Sequence, residues 1–384
     1  MRILHLAYED PRRPGSGGGS IRTREIDRRL AARHQITAIV AGYPGARPRV
    51  EDGVRWVPIG TRSGTTRDQL SYFALLGSAI LRHPHDLVVE DFGAPFSTGM
   101  APLFTRRPVV ASVQWLFAHE KRLEYGLPFD LVERAGLPLY DDFIAVSDWL
   151  AAAIRARRPR ATIETIPNGV DAAAFSVEPA SPRHLLYVGR LEIQHKGCDL
   201  LLDCVARARA TLAARSSRMP TLVVVGDGPD RAELERRAAG LGLADAVEFR
   251  GRVDGEAKYR LMAAAHAVLM PSRYETFGLV AVEALAAGAP VIAFDVGPLA
   301  EVAGPGGARL IPAFDLAAFS DAIIAAVLVS PDPMDGMFAR LAGRDWARAY
   351  NWDELAARQE QHYLRAVERR RFATARRHRR VISY

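Results

Sequence analysis

Residues 267–294 read AVLMPSRYETFGLVAVEALAAGAPVIAF, an almost entirely small or apolar stretch that contains two glutamates, Glu275 and Glu283. Glu283 has apolar neighbours, and neither Arg nor Lys stands one helical turn away from it on the predicted helix. A buried carboxylate needs hydrogen-bonding partners, and ribose hydroxyls would supply them. The alternative is that Glu275 is an ordinary loop carboxylate and that Glu283 faces solvent.

The local pattern predicts a strand, a loop and a helix in that order. The strand covers 267–270 and ends at Pro271, and the loop reads SRYETFG. Thr276 is the expected N-cap of a helix that runs to about Ala287, and Gly288 is its expected stop. One βα unit of a parallel sheet is therefore predicted here.

The start of this helix is suited to bind an anion. The backbone amides of Phe277, Gly278 and Leu279 are expected to be free, because the first turn of a helix has no internal partners for them. Free amides and the helix dipole favour a phosphate group at such a terminus. Gly278 has no Cβ to block a close approach.

Working outward, short β-branched segments alternate with helical ones, as in parallel sheets covered on both faces. A proline-containing, non-periodic segment at 174–183 is interpreted as a linker between two such series. The predicted fold class is α/β, with two Rossmann-like doubly wound domains facing each other across a cleft that receives the ligand. Strands are predicted at 2–8, 35–41, 54–59, 86–90, 108–113, 142–147 and 163–166 before the linker, and at 184–188, 221–225, 247–250, 267–270 and 290–294 after it.

The composition is that of a soluble protein of two or three domains, with 384 residues, 49% hydrophobic and 25% charged. No apolar run approaches the roughly 18–20 residues that span a bilayer. The N-terminal MRILHLAYEDPRRPG lacks the order of a signal peptide, so a cytoplasmic location is expected. Cys198 and Cys204 have neither redox nor zinc spacing and are expected to be reduced thiols.

The net charge of +7 is concentrated at the C-terminus. Residues 365–384 contain eight Arg and one Glu, whereas the rest of the chain has 43 basic and 43 acidic residues. Such a segment is either a solvated tail or a surface for peripheral contact with an anionic membrane. Nucleic-acid binding is not expected, because the body has no basic surplus and Phe372 is the tail's only aromatic residue among its arginines.

Lysine is rare in this chain. Of 51 basic residues 48 are Arg, and the only lysines are Lys121, Lys196 and Lys258. Each lysine is therefore mildly informative about a site.

The segment 271–302, PSRYETFGLVAVEALAAGAPVIAFDVGPLAEV, resembles the retaining glycosyltransferases of family 4 and contains their Glu-x7-Glu motif. Other segments resemble the family in the same order. They are AVSDWLAAAI (145–154), IETIPNGVDAAAF (163–175), LLYVGRLEIQHKGCDLLLDC (185–204), VVVGDGPDRAELE (223–235), VEFRGRVD (247–254) and YNWDELAARQEQHYLRA (350–366).

The resemblance implies the GT-B fold. Its expected parts are an acceptor-side domain at 1–173, a donor-binding domain at 184–350, a C-terminal helix at 351–371 that packs back on the first domain, and a basic tail at 372–384.

The resemblance also implies a donor site for a nucleotide-diphosphate sugar. Arg190 and Lys196 match the basic pair that holds the diphosphate, and the amides at Phe277, Gly278 and Leu279 match the family's contacts along the phosphates and the sugar. Glu283 matches the ribose-binding glutamate, and Glu275 matches the glutamate near the donor sugar.

Two further segments match donor contacts of the family. Arg252 and Val253 fall where main chain contacts the nucleobase. Gly18 and Gly19 belong to GSGGGS (15–20), which resembles the flexible Gly-rich loop that faces the diphosphate.

The acceptor side departs from the family at SVQWLFAHEK (112–121). Members carry a histidine at the position that aligns with Gln114. His119 follows five residues later and is the alternative candidate for the acceptor site.

The implied reaction is transfer of a hexosyl-type sugar from a UDP- or GDP-linked donor to an acceptor hydroxyl, with retention of the anomeric configuration. The acceptor would be a glycan, a lipid-linked group or a small molecule. Neither a metal nor a cofactor is expected, since no DxD-type carboxylate pair follows a predicted strand. An epimerase of the same fold and a non-catalytic nucleotide-sugar-binding protein remain alternatives.

A dinucleotide-dependent oxidoreductase is disfavoured. GSGGGS lies several residues past the first strand, and the second strand ends in Gly42 and Tyr43, without an acid to bind an adenosine ribose.

Overall fold

A computed structural model describes residues 1–93, 96–116, 118, 122, 129–304, 307–328 and 333–382, and at 66, 333–339 and 373–382 it describes the backbone alone. The chain forms two compact units. The first contains Met1–Asn168 and the segment from Trp352 onward, and the second contains Gly169–Asn351.

The first unit is built on a sheet in which eight strands are described. The strand order is β3-β4-β2-β1-β5-β6-β7-β8, and every pair is parallel except β3 with β4. The strands are β1 (Arg2–Tyr8), β2 (Gln35–Ala41), β3 (Arg49–Glu51), β4 (Val54–Ile59), β5 (Leu87–Phe92), β6 (Val109–Val113), β7 (Asp142–Ala145) and β8 (Thr162–Thr165).

Helices connect these strands, as parallel pairing requires. They are α1 (Gly18–Leu30), α2 (Thr66–Arg82), α3 (Phe129–Gly136) and α4 (Asp148–Arg157), with short 3-10 turns at Ala101–Leu103 and Leu137–Leu139. The core strands are apolar along most of their length, as is typical of a sheet covered on both faces.

The C-terminal helix, α14 (Trp352–Ile382), completes the core of the first unit. Trp352, Leu355 and Tyr363 are buried in one cluster with residues of β1 and β2. The helix continues through the segment predicted as a tail, because 352–382 contains neither Gly nor Pro and is rich in the good helix formers Ala and Arg. Within the described part of the chain, no helix is both long and apolar enough to cross a bilayer.

The second unit is built on a parallel sheet in which six strands are described. The strand order is β11-β10-β9-β12-β13-β14. The strands are β9 (His184–Val188), β10 (Leu222–Val225), β11 (Val247–Gly251), β12 (Ala265–Met270), β13 (Val291–Phe294) and β14 (Ala308–Ile311).

The helices of the second unit surround a separate core of buried Leu, Val, Ile and Phe side chains. They are α5 (Ala172–Phe175), α6 (Ile193–Lys196), α7 (Cys198–Ala214), α8 (Arg231–Gly240), α9 (Gly255–Ala263), α10 (Leu279–Ala286), α11 (Leu299–Ala303), α12 (Leu316–Leu328) and α13 (Pro333–Ala347), followed by a 3-10 turn at Arg348–Tyr350.

The segment 174–183, predicted as a linker, lies within the second unit. The amides of Ala180 and Arg183 donate to carbonyl groups at the end of α9, and Arg344 donates to the Val177 carbonyl. These hydrogen bonds replace helix or sheet pairing, which explains why a stretch without periodicity is nevertheless ordered.

The sheet of the second unit has one point at which the strand order reverses direction. In the second unit this switch point lies between β9 and β12. Ligands of open α/β sheets bind at the carboxyl ends of the strands that flank the switch point. Arg190 follows β9 and Glu275 follows β12, so two predicted donor-site residues lie at this position.

Candidate active site

Glu275 and Lys196 form the centre of the candidate site. Lys196 Nζ donates to Glu275 Oε1 at 2.6 Å, and Ser272 Oγ donates to the same oxygen at 2.8 Å. Glu275 is only 7% exposed. This arrangement disfavours the alternative that Glu275 is an ordinary loop carboxylate, since a nearly buried carboxylate needs such partners.

Gly197 allows Lys196 to approach Glu275. This glycine has a left-handed backbone with a φ of 60°, and a Cβ at this position would lie 2.1 Å from the carbonyl oxygen of Pro271. Only glycine fits both the backbone angle and the contact. The turn that carries Lys196 is thereby held against the end of β12.

Arg273 fixes the loop between β12 and α10. Its guanidinium donates to both carboxylate oxygens of Asp199 at 2.7 Å, and the Arg273 amide donates to the His195 carbonyl at 2.9 Å. Burial would raise the pKa of Asp199, but the hydrogen bonds and charge of Arg273 outweigh it and lower that pKa. A bidentate pair of this kind gives both energy and a fixed geometry.

Helix α10 begins at Leu279 rather than after Thr276, so the predicted N-cap is wrong. Gly278 is the N-cap, with a φ of 90°, and its positive φ ends the loop in a conformation that Thr276 and Phe277 would not adopt without strain. Phe277 is buried, with its ring centroid 5.8 Å from that of Tyr350. The loop therefore has an apolar anchor just before the helix.

Glu283 is paired with Lys258. Lys258 Nζ donates to Glu283 Oε1 at 2.8 Å, and Glu283 is 7% exposed. The alternative in which Glu283 faces solvent is therefore wrong. Sequence reasoning sought a partner on the same helix and missed Lys258, which lies on α9, although its rarity in this chain was a signal.

The remaining donor-side residues lie nearer the surface. Arg190 is half-exposed, and its Nη1 is 3.7 Å from Glu192 Oε2. Arg252 is exposed and pairs with Asp254 at 2.9 Å, while Val253 is partly buried between them in the chain. Each of the two arginines therefore pairs with an acidic residue two positions further along the chain.

In the first unit, Gly18 and Gly19 form the first turn of α1 and are not part of a loop, which corrects the prediction. The chain is extended at the N-cap Gly17, and the helix-forming sequence from Ile21 onward stabilises the turn.

Gln114 follows β6, and its Nε2 lies 3.4 Å from the Gly19 carbonyl oxygen. The structure thus brings Gln114 together with the Gly-rich turn, and His119 lies outside the described residues.

A buried charged cluster beneath α1 was not predicted. His5 Nδ1 is 2.8 Å from Asp27 Oδ2, and His5 Nε2 is 3.2 Å from Asp91 Oδ2. Thr23 Oγ1 donates to Asp91 at 2.6 Å. Burial alone would lower the pKa of His5, but the two carboxylates outweigh it and raise this pKa to about 10. The cluster ties α1 to β1 and β5.

These features define a class of protein: an α/β chain of two Rossmann-like units with basic and acidic side chains at the switch point of the second. Comparison with known protein families shows which family the chain belongs to. The model for glycosyltransferase family 4 matches residues 16–174, and the model for glycosyl transferases group 1 matches residues 182–328. The chain belongs to the group 1, family 4 glycosyltransferases.

Curated relatives have different activities. Glycogen synthase from Mycobacterium tuberculosis is 34% identical over 212 residues, which are 54% of this chain and 49% of the relative. The 2-deoxystreptamine glucosyltransferase of Streptomyces kanamyceticus is 29% identical over 89% of this chain and 96% of the relative. The chain spans about half the length of the first relatives it matches.

Solved structures confirm the fold. Sucrose-phosphate synthase from Thermosynechococcus elongatus superposes with a TM-score of 0.78 over 97% of this chain and 99% of that chain, at 22% identity. HepE from Anabaena, in complex with UDP-glucose, gives a TM-score of 0.70 over 94% of this chain and 98% of that chain, at 20% identity. The GT-B fold predicted from the sequence is confirmed.

Proposed function

We propose that the protein transfers a sugar from a nucleotide-diphosphate donor to an acceptor hydroxyl, with retention of the anomeric configuration. The observation that carries the proposal is the Lys196–Glu275 contact at the switch point of the second unit. A cation and a carboxylate adjacent to each other there suit a substrate that has a diphosphate next to a sugar.

The donor is assigned by chemistry. Lys196 and Arg190 are the cations for the diphosphate, and the first turn of α10 adds backbone amides that favour anions. Glu275 is assigned to the sugar hydroxyls and Glu283 to the ribose hydroxyls, since carboxylates accept hydrogen bonds from both. HepE, which shares the fold, was crystallised with UDP-glucose. This supports a nucleotide sugar as the donor, with UDP and GDP as the candidates.

The proposed mechanism is front-face displacement. The acceptor hydroxyl attacks from the face that the leaving diphosphate occupies, and the leaving phosphate oxygen takes the hydroxyl proton. Negative charge then develops on the diphosphate, and Lys196 and Arg190 stabilise it without a metal ion. Because Glu275 holds Lys196 and Ser272 in turn holds Glu275, little rearrangement is needed as the bond breaks.

The acceptor side is proposed to include Gln114 beside the Gly-rich turn of α1. An amide side chain both donates and accepts, so it suits a hydroxyl group but not proton abstraction. The acceptor class is a glycan, a lipid-linked group or a small-molecule glycoside precursor, as the different activities of the relatives suggest.

Two alternatives remain and are separable by product. An epimerase of the same fold would release an epimerised nucleotide sugar without any acceptor. A non-catalytic binding protein would bind the donor without transfer or hydrolysis.

The decisive experiment is a thermal-shift screen of nucleotide sugars followed by mass spectrometry with candidate acceptors. A ligand that binds only the native state at 100 times its Kd raises stability by about 2.7 kcal/mol, which is a clear shift. We expect stabilisation by one nucleotide family and a mass increase of the acceptor by one hexose. Failure of every nucleotide sugar to stabilise the protein would contradict the proposal.

We also propose that the first unit makes peripheral contact with the cytoplasmic face of an anionic membrane. Leu103 and Phe104 are exposed by 62% and 39%, beside the exposed Arg106 and Arg107. Arg370 Nε donates to the Arg106 carbonyl at 3.2 Å, so the Arg-rich part of α14 adjoins this surface. Exposed apolar side chains rimmed by arginines suit an anionic lipid surface.

A further inference from the structure

The Lys258–Glu283 pair is an unusual feature of the second unit. Both side chains are largely withdrawn from solvent, with exposed fractions of 17% and 9%. They come from different helices, α9 and α10, so the contact is not a local pair on one helix. In a chain with three lysines and 48 arginines, a lysine at this position is a specific choice of a compact cation.

The contact occupies one side of the carboxylate. Lys258 Nζ donates to Oε1 of Glu283 at 2.8 Å. In the described part of the chain, no hydrogen bond joins Oε2 of Glu283 to another residue. A carboxylate with one oxygen fixed and the other open can accept hydrogen bonds from a ligand in a defined direction.

The position of Lys258 limits its motion. Its ammonium lies 4.7 Å from the centre of the Tyr259 ring, which is a cation–π distance. Helix α9 starts at Gly255, immediately after the segment Arg252–Asp254. Lys258 therefore connects the carboxylate to the helix that follows the proposed nucleobase contact.

We infer that Lys258 is a positioning residue for recognition of the donor ribose. It holds Glu283 through Oε1 so that Oε2 faces the 2′- and 3′-hydroxyls, and the site thereby selects ribonucleotides over deoxyribonucleotides. This inference rests on the proposed function, because it assumes that a nucleotide occupies the second unit. The ammonium itself does not contact the substrate.

The test compares nucleotide affinities. UDP and GDP are measured by calorimetry with the full chain, and the one that binds is then compared with its 2′-deoxy and 3′-deoxy forms. For the wild type we expect at least one deoxy form to bind roughly 10- to 100-fold more weakly than the ribonucleotide, since a hydrogen bond to a charged group is lost. We call this fold difference the ribose discrimination ratio. In Lys258→Met, we expect ribonucleotide affinity to fall by about tenfold and the ribose discrimination ratio to shrink to about threefold or less.

Two controls separate positioning from general damage. Arg260→Met removes a positive charge from the same helix at an exposed position and is expected to leave the ratio unchanged. Lys258→Arg keeps a cation that can donate to the carboxylate and is expected to restore part of the ratio.

The double variant Lys258→Met/Glu283→Gln removes both charges and guards against unfolding by an unpaired buried carboxylate. We expect the double variant to distinguish the ribonucleotide from its deoxy forms at least as well as Glu283→Gln alone does, because the two residues act as one unit. If Lys258→Met lowers only the melting temperature and leaves the ratio of ribonucleotide to deoxyribonucleotide affinity unchanged, the inference about Lys258 is overturned while the proposed function stands. Absence of nucleotide binding in the wild type would overturn the proposed function as well.

Discussion

Lys196 and Glu275 are 79 residues apart in the sequence, and their side chains meet at 2.6 Å. The contact joins the segment after β9 to the segment after β12, the two strands that flank the switch point of the second sheet. Both residues are thus fixed by the strand order, and their pairing places a cation and a carboxylate at the position where open α/β sheets bind their ligands.

Removal of either partner is expected to abolish most of the activity. For Lys196→Ala and Glu275→Ala we expect turnover to fall by about 100- to 1,000-fold, because charge stabilisation and sugar orientation are lost. Steady-state kinetics with the best donor and acceptor would measure the change, and circular dichroism would confirm the fold. Near-normal turnover in both purified variants would disprove the site.

A matched control is Arg209→Ala. Arg209 pairs with Asp245 on the surface of the same unit, so this variant also loses one cation of an ion pair. Because surface pairs contribute little, we expect turnover and stability close to those of the wild type.

Chelation of metal ions is expected to leave transfer intact. In the proposed mechanism, Lys196 and Arg190 neutralise the charge that a divalent ion would otherwise neutralise. Transfer rates are to be compared before and after EDTA, with added Mg²⁺ or Mn²⁺ as the rescue. A complete loss that a metal restores would refute the metal-free mechanism.

His5 is expected to remain protonated at neutral and mildly alkaline pH. Asp27 and Asp91 raise its pKa to about 10, against burial, whereas the ordinary value is 6.5. The stabilisation from protonated His5 is therefore complete below about pH 6.5 and is lost as the pH rises through about 10. Nitrogen-15 NMR should show both ring nitrogens protonated at pH 8.

The variant His5→Gln tests the same cluster thermodynamically. We expect it to be less stable than the wild type at pH 7, with a difference that shrinks as the pH approaches 10. Urea titrations across this pH range would measure it. A constant difference at all pH values would show that His5 acts only through packing.

Vesicle binding tests the membrane proposal. We expect the protein to sediment with vesicles of phosphatidylcholine and phosphatidylglycerol but not with phosphatidylcholine alone, and added salt should release it. The variant Arg106→Glu/Arg107→Glu should lower the partition constant by roughly 30-fold or more, at about 1 kcal/mol per arginine. Arg215→Glu/Arg236→Glu, in the second unit, makes the same change in charge and should bind normally; equal losses in both variants would argue against a defined surface.

The sheets of both units were largely predictable, because most of their strands are mainly apolar runs that alternate with segments of helical periodicity. Two edge strands were missed, the antiparallel β3 (Arg49–Glu51) and the parallel β14 (Ala308–Ile311), since runs of three or four residues carry little periodic signal. The start of α10 was misplaced for a different reason. Thr276 has the chemistry of an N-cap, but the positive φ of Gly278 decides the position, and φ cannot be inferred from capping preference alone.

The two glutamates of the candidate site were predictable from the sequence, whereas the residues that contact them were less so. Spacing and family resemblance identified Glu275 and Glu283, but Lys258 and the His5 cluster depend on contacts between elements distant in sequence. Lys258 lies 25 residues from Glu283, and His5 lies 22 residues from Asp27. Such pairings follow from how helices pack on a sheet, which local periodicity does not specify.

The return of α14 to the first unit has a consequence for biosynthesis. The ribosome makes residues 1–168, then the whole second unit, and only then the helix whose Trp352, Leu355 and Tyr363 close the first core. At roughly 5–20 residues per second, this delay is on the order of 10 s or more. The second unit is contiguous in the chain and is complete first. Until α14 has been made, the nascent first unit therefore lacks the apolar side chains that complete its core.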